Sequence, residues 1–312
     1  MKRISLLAII LTITLMLSAC VTLPSRQSQN QSQDSEPPSA QGSTGNAASP
    51  EASASAQQSE KPSKVSVNEQ VLLEENDVKI TLKSLETEDV WYGPELKILI
   101  ENESDTGITV QTRNSAINGV MMDTLISCDV QPGKKANDEI SISQNDLDRA
   151  GISTIKDIEF TFHVCESESW STIFDSGTVY ITTTADPGYT QKYNDSGDLL
   201  YSKDGIKVVY QTVDYSDSYW GAEVYMYIEN LTSNNIMVQV KDESVNGFMV
   251  SSIFSCEVMH GKRAYDAIII TQSEMDDNGI VTFDEMEFYL DIFDIDSWDT
   301  IDYSDKITIN FD

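Results

Sequence analysis

Apolar and polar residues alternate along much of the chain. Lys79-Ile80-Thr81-Leu82, Glu139-Ile140-Ser141-Ile142 and Ile158-Glu159-Phe160-Thr161-Phe162-His163-Val164 each put every second side chain on one apolar face. That period belongs to antiparallel sheets with one face buried and one wet. It predicts strands over 78–85, 96–101, 108–112, 119–122, 125–130, 138–142, 158–165 and 178–183, divided by turn signals such as Asn118-Gly119 and Pro132-Gly133. Ser143 with Asp146, and Thr271 with Glu274, fit side-chain caps, and Gly151 and Gly279 fit helix stops. A short helix is predicted at each place, with Leu147 and Met275 covering one end of the strands.

The whole pattern occurs twice. Lys79 to Ile181 lies on Lys207 to Ile309 without a gap, at a constant offset (230 − 102 = 128). Ile100-Glu101-Asn102 matches Ile228-Glu229-Asn230, Asn118-Gly119 matches Asn246-Gly247, Ser127-Cys128 matches Ser255-Cys256, and Ser169-Trp170 matches Ser297-Trp298. About seven short strands in roughly 110 residues predict a β-sandwich of immunoglobulin-like architecture for each copy. The expected fold is all-β: two tandem immunoglobulin-like antiparallel sandwiches, each with one short helix, after a signal peptide and a disordered linker. Boundaries are expected at 1–20 (signal), 21–66 (tether), 67–184 (first copy), 185–198 (linker) and 199–312 (second copy). Asp186-Pro187-Gly188 and Ser196-Gly197 in the linker predict limited hinge motion between copies.

The N-terminus changes the setting. Lys2 and Arg3 precede an apolar run from Ile4 to Leu17 that is too short to span a bilayer, which takes roughly 20 residues, and Leu17-Ser18-Ala19-Cys20 closes it. The motif resembles the bacterial lipoprotein signal, which implies cleavage before Cys20 and a lipid on its thiol. From Val21 to about Ser66 the chain is Ser, Gln, Ala, Pro and Gly with no aromatic residue, the composition of a disordered tether. About 45 such residues reach ~35–40 Å on average. A formal charge of −31 repels phosphate backbones, so nucleic acid is not an expected partner. Beyond Cys20, Cys128 and Cys256 are equivalent and sit in apolar segments, as small core residues do, whereas Cys165 faces Phe293 in the other copy. A bridge from Cys128 to Cys165 stays open for the first copy alone.

Few motifs carry chemistry. Glu274 to Glu285 sets oxygen side chains and Gly279 in the register of an EF-hand loop, with Asp276, Asn278, Asp284 and Glu285 as ligand candidates. Its flanks alternate like strands and the first copy has Arg149 inside the same loop, so capping and turn chemistry compete with calcium as the explanation. Asp291, Asp294, Asp296, Asp299, Asp302 and Asp305 read as a solvated strand edge. Trp91-Tyr92-Gly93 and Tyr219-Trp220-Gly221 occupy one connection in both copies, either as packing at the sandwich end or as a recognition surface joined by Tyr210, Tyr215, Tyr225 and Tyr227. Trp170 and Trp298 are expected in the core, at a fixed corner. The two histidines, His163 and His260, have no nucleophile motif beside them.

The strings Ile-Glu-Asn with the turn and strand after it (Asn102 to Val110, Asn230 to Val238), the Asn-Gly hairpin, Ser-Cys-x-Val and Ser-Trp-x-Thr-Ile resemble tandem immunoglobulin-like modules of Gram-positive cell-surface lipoproteins. The resemblance covers 70–312, implies fold and location, and brings no active site. The expected protein is a non-enzymatic module on the outer face of the cell membrane, held by lipid on Cys20. Trp91, Tyr92, Tyr219 and Trp220 are its candidate ligand contacts, an envelope glycan or protein its candidate partner, and no cofactor is expected. One alternative is a calcium-stabilised module; another is a glycan hydrolase with paired carboxylates.

Overall fold

The computed structural model describes residues 65–88, 90–215 and 220–311, which belong to a compact unit of Gln58–Asp312. Cys20, Tyr219 and nearly all of the expected tether lie outside the described residues. The strands of the first half are β1 (Gln70–Glu75), β2 (Val78–Glu86), β3 (Glu95–Asn102), β4 (Ile108–Ile117), β5 (Val120–Met121), β6 (Thr124–Leu125), β7 (Cys128–Val130) and β8 (Lys134–Ile142), then helix α1 (Gln144–Arg149), β9 (Asp157–Glu166) and β10 (Thr172–Thr182). The second half repeats the order: β11 (Asp198–Lys203), β12 (Ile206–Asp214), β13 (Ala222–Asn230), β14 (Ile236–Val245), β15 (Phe248–Met249), β16 (Ser252–Ile253), β17 (Ser255–Val258), β18 (Arg263–Ile270), α2 (Gln272–Asn278), β19 (Glu285–Asp294), β20 (Thr300–Tyr303) and β21 (Ile307–Asn310).

Each half is a β-sandwich. In the first, β1-β2-β3-β8-β6 faces β10-β9-β4 with β5 and β7 on the edge of β4. With β2 taken as strand A, this is the A-B-E-D against G-F-C arrangement of immunoglobulin domains, with β1 added outside A. Alternation buries Ile80, Leu82, Ile98, Ile100, Phe160 and Phe162 between the sheets, and a separate core in the second half holds their counterparts, including Val208, Met226, Ile228, Phe288 and Leu290. Both hairpins form as expected, with Asn118 and Gly119 at φ 50° and 79° and Asn246 and Gly247 at 51° and 81°, the left-handed pair that matches strand twist. The helices are capped by Ser143 and Thr271, and Gly279 closes α2 at φ 67°. Leu147 and Met275 are buried beneath them.

Several expectations are corrected. The run 125–130 is two strands in different sheets, because the chain crosses the sandwich edge there. The fold reaches two residues before the expected boundary: Val65 is buried in the core, the Ser66 N–H donates to the Thr184 hydroxyl, and the Ser66 carbonyl accepts from the Thr184 N–H. Trp170 and Trp298 are exposed, at φ 59° and 62° in the turns after β9 and β19. Their N–H groups close those turns on Glu166 and Asp294, so the corner is fixed by backbone while the indole points outward. The thiols of Cys128, Cys165 and Cys256 are buried and unpaired.

The linker is a strap rather than a hinge. Lys156 Nζ donates to the carbonyls of Pro187 and Tyr189 at 3.0 Å, Tyr193 Oη to that of Asn118 at 3.0 Å, and Asn194 N–H to Tyr265 Oη at 2.8 Å. The Arg263 guanidinium lies 4.4 Å from the centre of the Tyr193 ring. Beside the strap, β5 pairs in parallel with β18, Val120 opposite Arg263 and Met121 opposite Ala264, which joins one sheet of each half into a single ten-stranded sheet. Lys262 Nζ reaches both carboxylate oxygens of Glu159 at 2.5 Å across the same joint.

A buried asparagine ties one end of each sandwich. Asn102 Nδ2 donates to the carbonyls of Thr106 and Val130, and Oδ1 accepts from the backbone and hydroxyl of Ser104. Asn230 repeats this with Asn234, Val258 and Thr232. Asn102→Ala leaves the Val130 carbonyl buried without its side-chain donor, and the expected cost is ~1–3 kcal/mol in urea unfolding. An unchanged midpoint would show that water replaces the amide.

Candidate functional site

A cleft of about 640 Å³ opens where the two sandwiches meet. It exists because β4 bulges after Arg113, with Asn114 at φ 53°, and then turns through Asn118-Gly119, so that β5 meets β18 while α1 stands off the face of β13. The strand-to-strand run from Met122 to Asp123, the C-terminal turn of α1, β17 and β18 supply its walls.

Its lining is charged but half-dried. Asp146, the first-turn acid of α1, has its carboxyl pKa raised by burial, with Arg149 at 3.9 Å and the Ser143 hydroxyl acting the other way. Asp266 on β18 is raised by burial too, against the Ala267 N–H and the Cys256 thiol that bond its carboxylate. Burial, and then the charge of Asp266, pushes the Cys256 thiol well above the ordinary thiol range, so it is a protonated donor and not a nucleophile. Asp123 faces all three groups, adding like charge to each carboxyl. Arg149 supplies the counter-charge, 4.7 Å from the centre of the Tyr225 ring, with Nη2 donating to Tyr225 Oη at 3.4 Å. Tyr225 Oη donates to Glu223 at 2.5 Å, and burial followed by that bond raises its pKa to about 12.

The arrangement suits a small polar ligand that offers both donors and acceptors. Each acid already has a partner in the fold, so the carboxylates are held apart in function: Asp146 with Arg149, Asp266 with the thiol. Sequence reasoning singled out Tyr225 alone among these residues, as part of an aromatic surface around Trp220, and none of the charged ones as a contact. A signal existed in the departures between copies, since Asp123, Arg149, Tyr225 and Tyr265 stand opposite Ser251, Asp277, Lys97 and Asn137.

The expected contacts lie elsewhere. Trp91 is 98% exposed and Tyr92 and Trp220 are exposed too, at the helix ends of their own sandwiches. Gly93 and Gly221 pin these connections: a Cβ on either would lie 2.2 Å from the carbonyl oxygen of Ile142 or Ile270, so only glycine allows the close approach. The tyrosines expected to join Trp220 are dispersed. Tyr210 packs on Phe311, Tyr215 on Phe283, Tyr227 is buried against Tyr265, and Tyr225 lies under the Arg149 guanidinium.

The segment set against an EF-hand is helix α2 in its first half. Asp276 Oδ1 accepts from Gln272 and Asn278 Nδ2 donates to the Glu274 carbonyl, while the N–H groups of Asp284 and Glu285 are taken by Asn246 Oδ1. Among the described residues no three His, Cys, Asp or Glu side chains are placed to hold a metal ion. His163 is buried with Nδ1 2.6 Å from Asp175 Oδ1, an internal pair on neighbouring strands.

No protein-family model and no curated protein matches the chain. Among solved structures, one titled as a protein of unknown function from Porphyromonas gingivalis W83 aligns at 10% identity, over 70% of this chain and 91% of its own, with a TM-score of 0.19.

The cleft makes a pH prediction. A carboxyl whose folded pKa is raised binds its proton more tightly in the fold than in the unfolded chain. Stability from Asp266 is therefore greatest at low pH and falls as pH climbs from its ordinary 3.8 through the raised value. Asp266→Asn, which keeps an acceptor for the Ala267 N–H, should raise the melting temperature at pH 7 by about 2–4 °C and lose the advantage by about pH 4. A gap that persists at low pH would assign the effect to packing.

Proposed function

We propose that this protein is a lipid-anchored binding module on the outer face of a bacterial cell membrane, and that it takes an envelope glycan or protein on its aromatic connections. The observation that carries the reading is the near-complete exposure of Trp91 on a turn whose backbone Gly93 presses against β8 and α1. A tryptophan brings a large contact area with only two side-chain torsions to order, which is why aromatic side chains on scaffolded loops dominate recognition surfaces. Trp220, beside Gly221, presents the second such surface on the other sandwich.

Three further features support it. The joint locks the two sandwiches together, so both tips are carried on one rigid body. The acidic surface keeps an exported protein soluble and away from anionic lipid and nucleic acid. The sequence around Cys20 resembles the signal that would deliver a diacylated N-terminus, and the duplicated order of elements, resembling the tandem modules of Gram-positive surface lipoproteins, fits a protein displayed on a stalk.

Two outcomes test this. With Gln58–Asp312 as bait against envelope fractions and a glycan panel, Trp91→Ala with Trp220→Ala should weaken retention by about 30-fold or more, the loss of a binding hot spot. Equal retention by a folded double variant would remove the tips from the binding surface. In cells, Cys20→Ala should shift the protein out of the lipid-anchored membrane fraction, since no acyl chain could then be attached; unchanged detergent partitioning would refute the anchor.

A further inference from the structure

Among the described residues the hairpin that joins the two sandwiches occurs twice and is used once. In the first sandwich it ends in β5, whose parallel contact with Arg263 and Ala264 leaves Val120 1% exposed. Its equivalent 128 positions on is β15, built on the same left-handed Asn-Gly pair. Yet β15 is the end strand of its sheet, and Phe248 and Met249 are 48% and 65% exposed, with Ile253 exposed beside them. The receiving edge is repeated as well. Lys135 and Ala136 on β8 are the equivalents of Arg263 and Ala264. Among the described residues, β8 pairs β3 along one side, and on the other it pairs only β6, at Ser141 and Ile142.

One face of the joint is thus open at each end of the molecule, and the two are complementary by construction. We propose that they meet between copies: β15 of one chain adds in parallel to β8 of the next, so that chains link head to tail as the sandwiches do within one chain. The flanking contacts stay attractive. Lys262 with Glu159 becomes Lys134 with Glu287, which Lys306 holds in its own sandwich, and Arg149 against Tyr225 becomes Asp277 against Lys97, an opposite-charge pair in which the cation changes sides and Lys97 already bonds Glu95. Phe248 and Met249, apolar side chains on an exposed edge strand, gain the cover that Val120 and Met121 already have. A contact of this kind is heterologous, and without closure into a ring it propagates. Anchoring on a membrane raises the effective concentration of neighbours toward the millimolar range, which compensates for a small interface.

Sedimentation velocity of Gln58–Asp312 at rising concentration tests it. The wild type should show dimer and longer species below ~1 mM, the concentration scale of tethered neighbours. Phe248→Asp with Met249→Asp removes the donor edge. Lys135→Pro removes the receiving N–H; the equivalent Arg263 N–H is donated to the Gly119 carbonyl at 3.1 Å, so no ladder bond within the sandwich is lost. Each variant alone should be monomeric, association falling at least tenfold, and an equal mixture should give a 1:1 dimer and nothing larger. If Lys135→Pro fails to fold, Lys134→Glu with Lys135→Glu, which sets like charge against Glu287, takes its place. A wild type monomeric to ~1 mM overturns the proposal. So does association that survives both edge variants, or a mixture that stays monomeric.

Discussion

Much of the described structure depends on one backbone constraint, the left-handed pair at Asn118 and Gly119. That conformation frees the Asn118 side chain to work outside its own turn. Its amide donates to the Thr154 carbonyl at 2.7 Å, and its oxygen accepts from the N–H groups of Lys156 and Asp157 at 2.8 and 3.0 Å, holding the chain that leaves α1. Its backbone carbonyl takes the Tyr193 hydroxyl of the strap, and the Gly119 carbonyl takes the Arg263 N–H. Helix end, linker and second sandwich are all referred to two residues. Asn246 does the first of these jobs in the second sandwich, bonding Thr282, Asp284 and Glu285.

Closing the joint has an electrostatic consequence. A chain with 51 acidic and 20 basic residues has few cations to place, yet Lys156, Arg149, Lys262 and Arg263 all stand at the meeting of the two halves. Of these only Arg149 acts on Asp146 and Asp266, and without it their burial in the cleft would bring uncompensated charge out of water, a cost that grows steeply as the dielectric falls. The raised carboxyls are the residue of that conflict: the guanidinium reduces the penalty and does not remove it. The cleft is therefore the place where the acidity that keeps the rest of the surface solvated works against the fold.

What could be read from the sequence was whatever chemistry is local. Alternation in 158–164 set the faces of β9, Asn-Gly set two hairpins, and Ser143 and Thr271 set two caps, because each depends on neighbours within a few residues. What could not be read depended on partners far along the chain. The segment Gln70–Glu75 is β1, but its two adjacent leucines break the alternation, and the register shift near Leu73 is why. Trp170 and Trp298 have the size of core residues and occupy turns whose positive φ turns the indole out. The joint left only an indirect trace, in which Arg149, Tyr225 and Tyr265 abandon the residue types of the other copy; similarity between copies reports the sandwich, and their differences report where the sandwiches touch.

The same logic sorts the exposed aromatics. Trp170 and Trp298 are equivalent, and Trp91 stands opposite Tyr219 as Trp220 does opposite Tyr92, so both places keep aromatic residues and pairing cannot by itself separate folding from recognition. The backbone can. At Trp170 and Trp298 the tryptophan N–H closes the turn, so any residue tolerant of φ near 60° would preserve the geometry, and the indole contributes little to it; Trp298 still stacks on Phe293 with ring centres 5.5 Å apart. In the connections of Trp91 and Trp220 the geometry is set by Gly93 and Gly221, whose missing Cβ admits the strand beneath, and Trp91 itself is almost wholly exposed. A side chain as large as that of Trp91, kept in water at the tip of a pinned loop, is the feature that packing within the sandwich leaves unexplained.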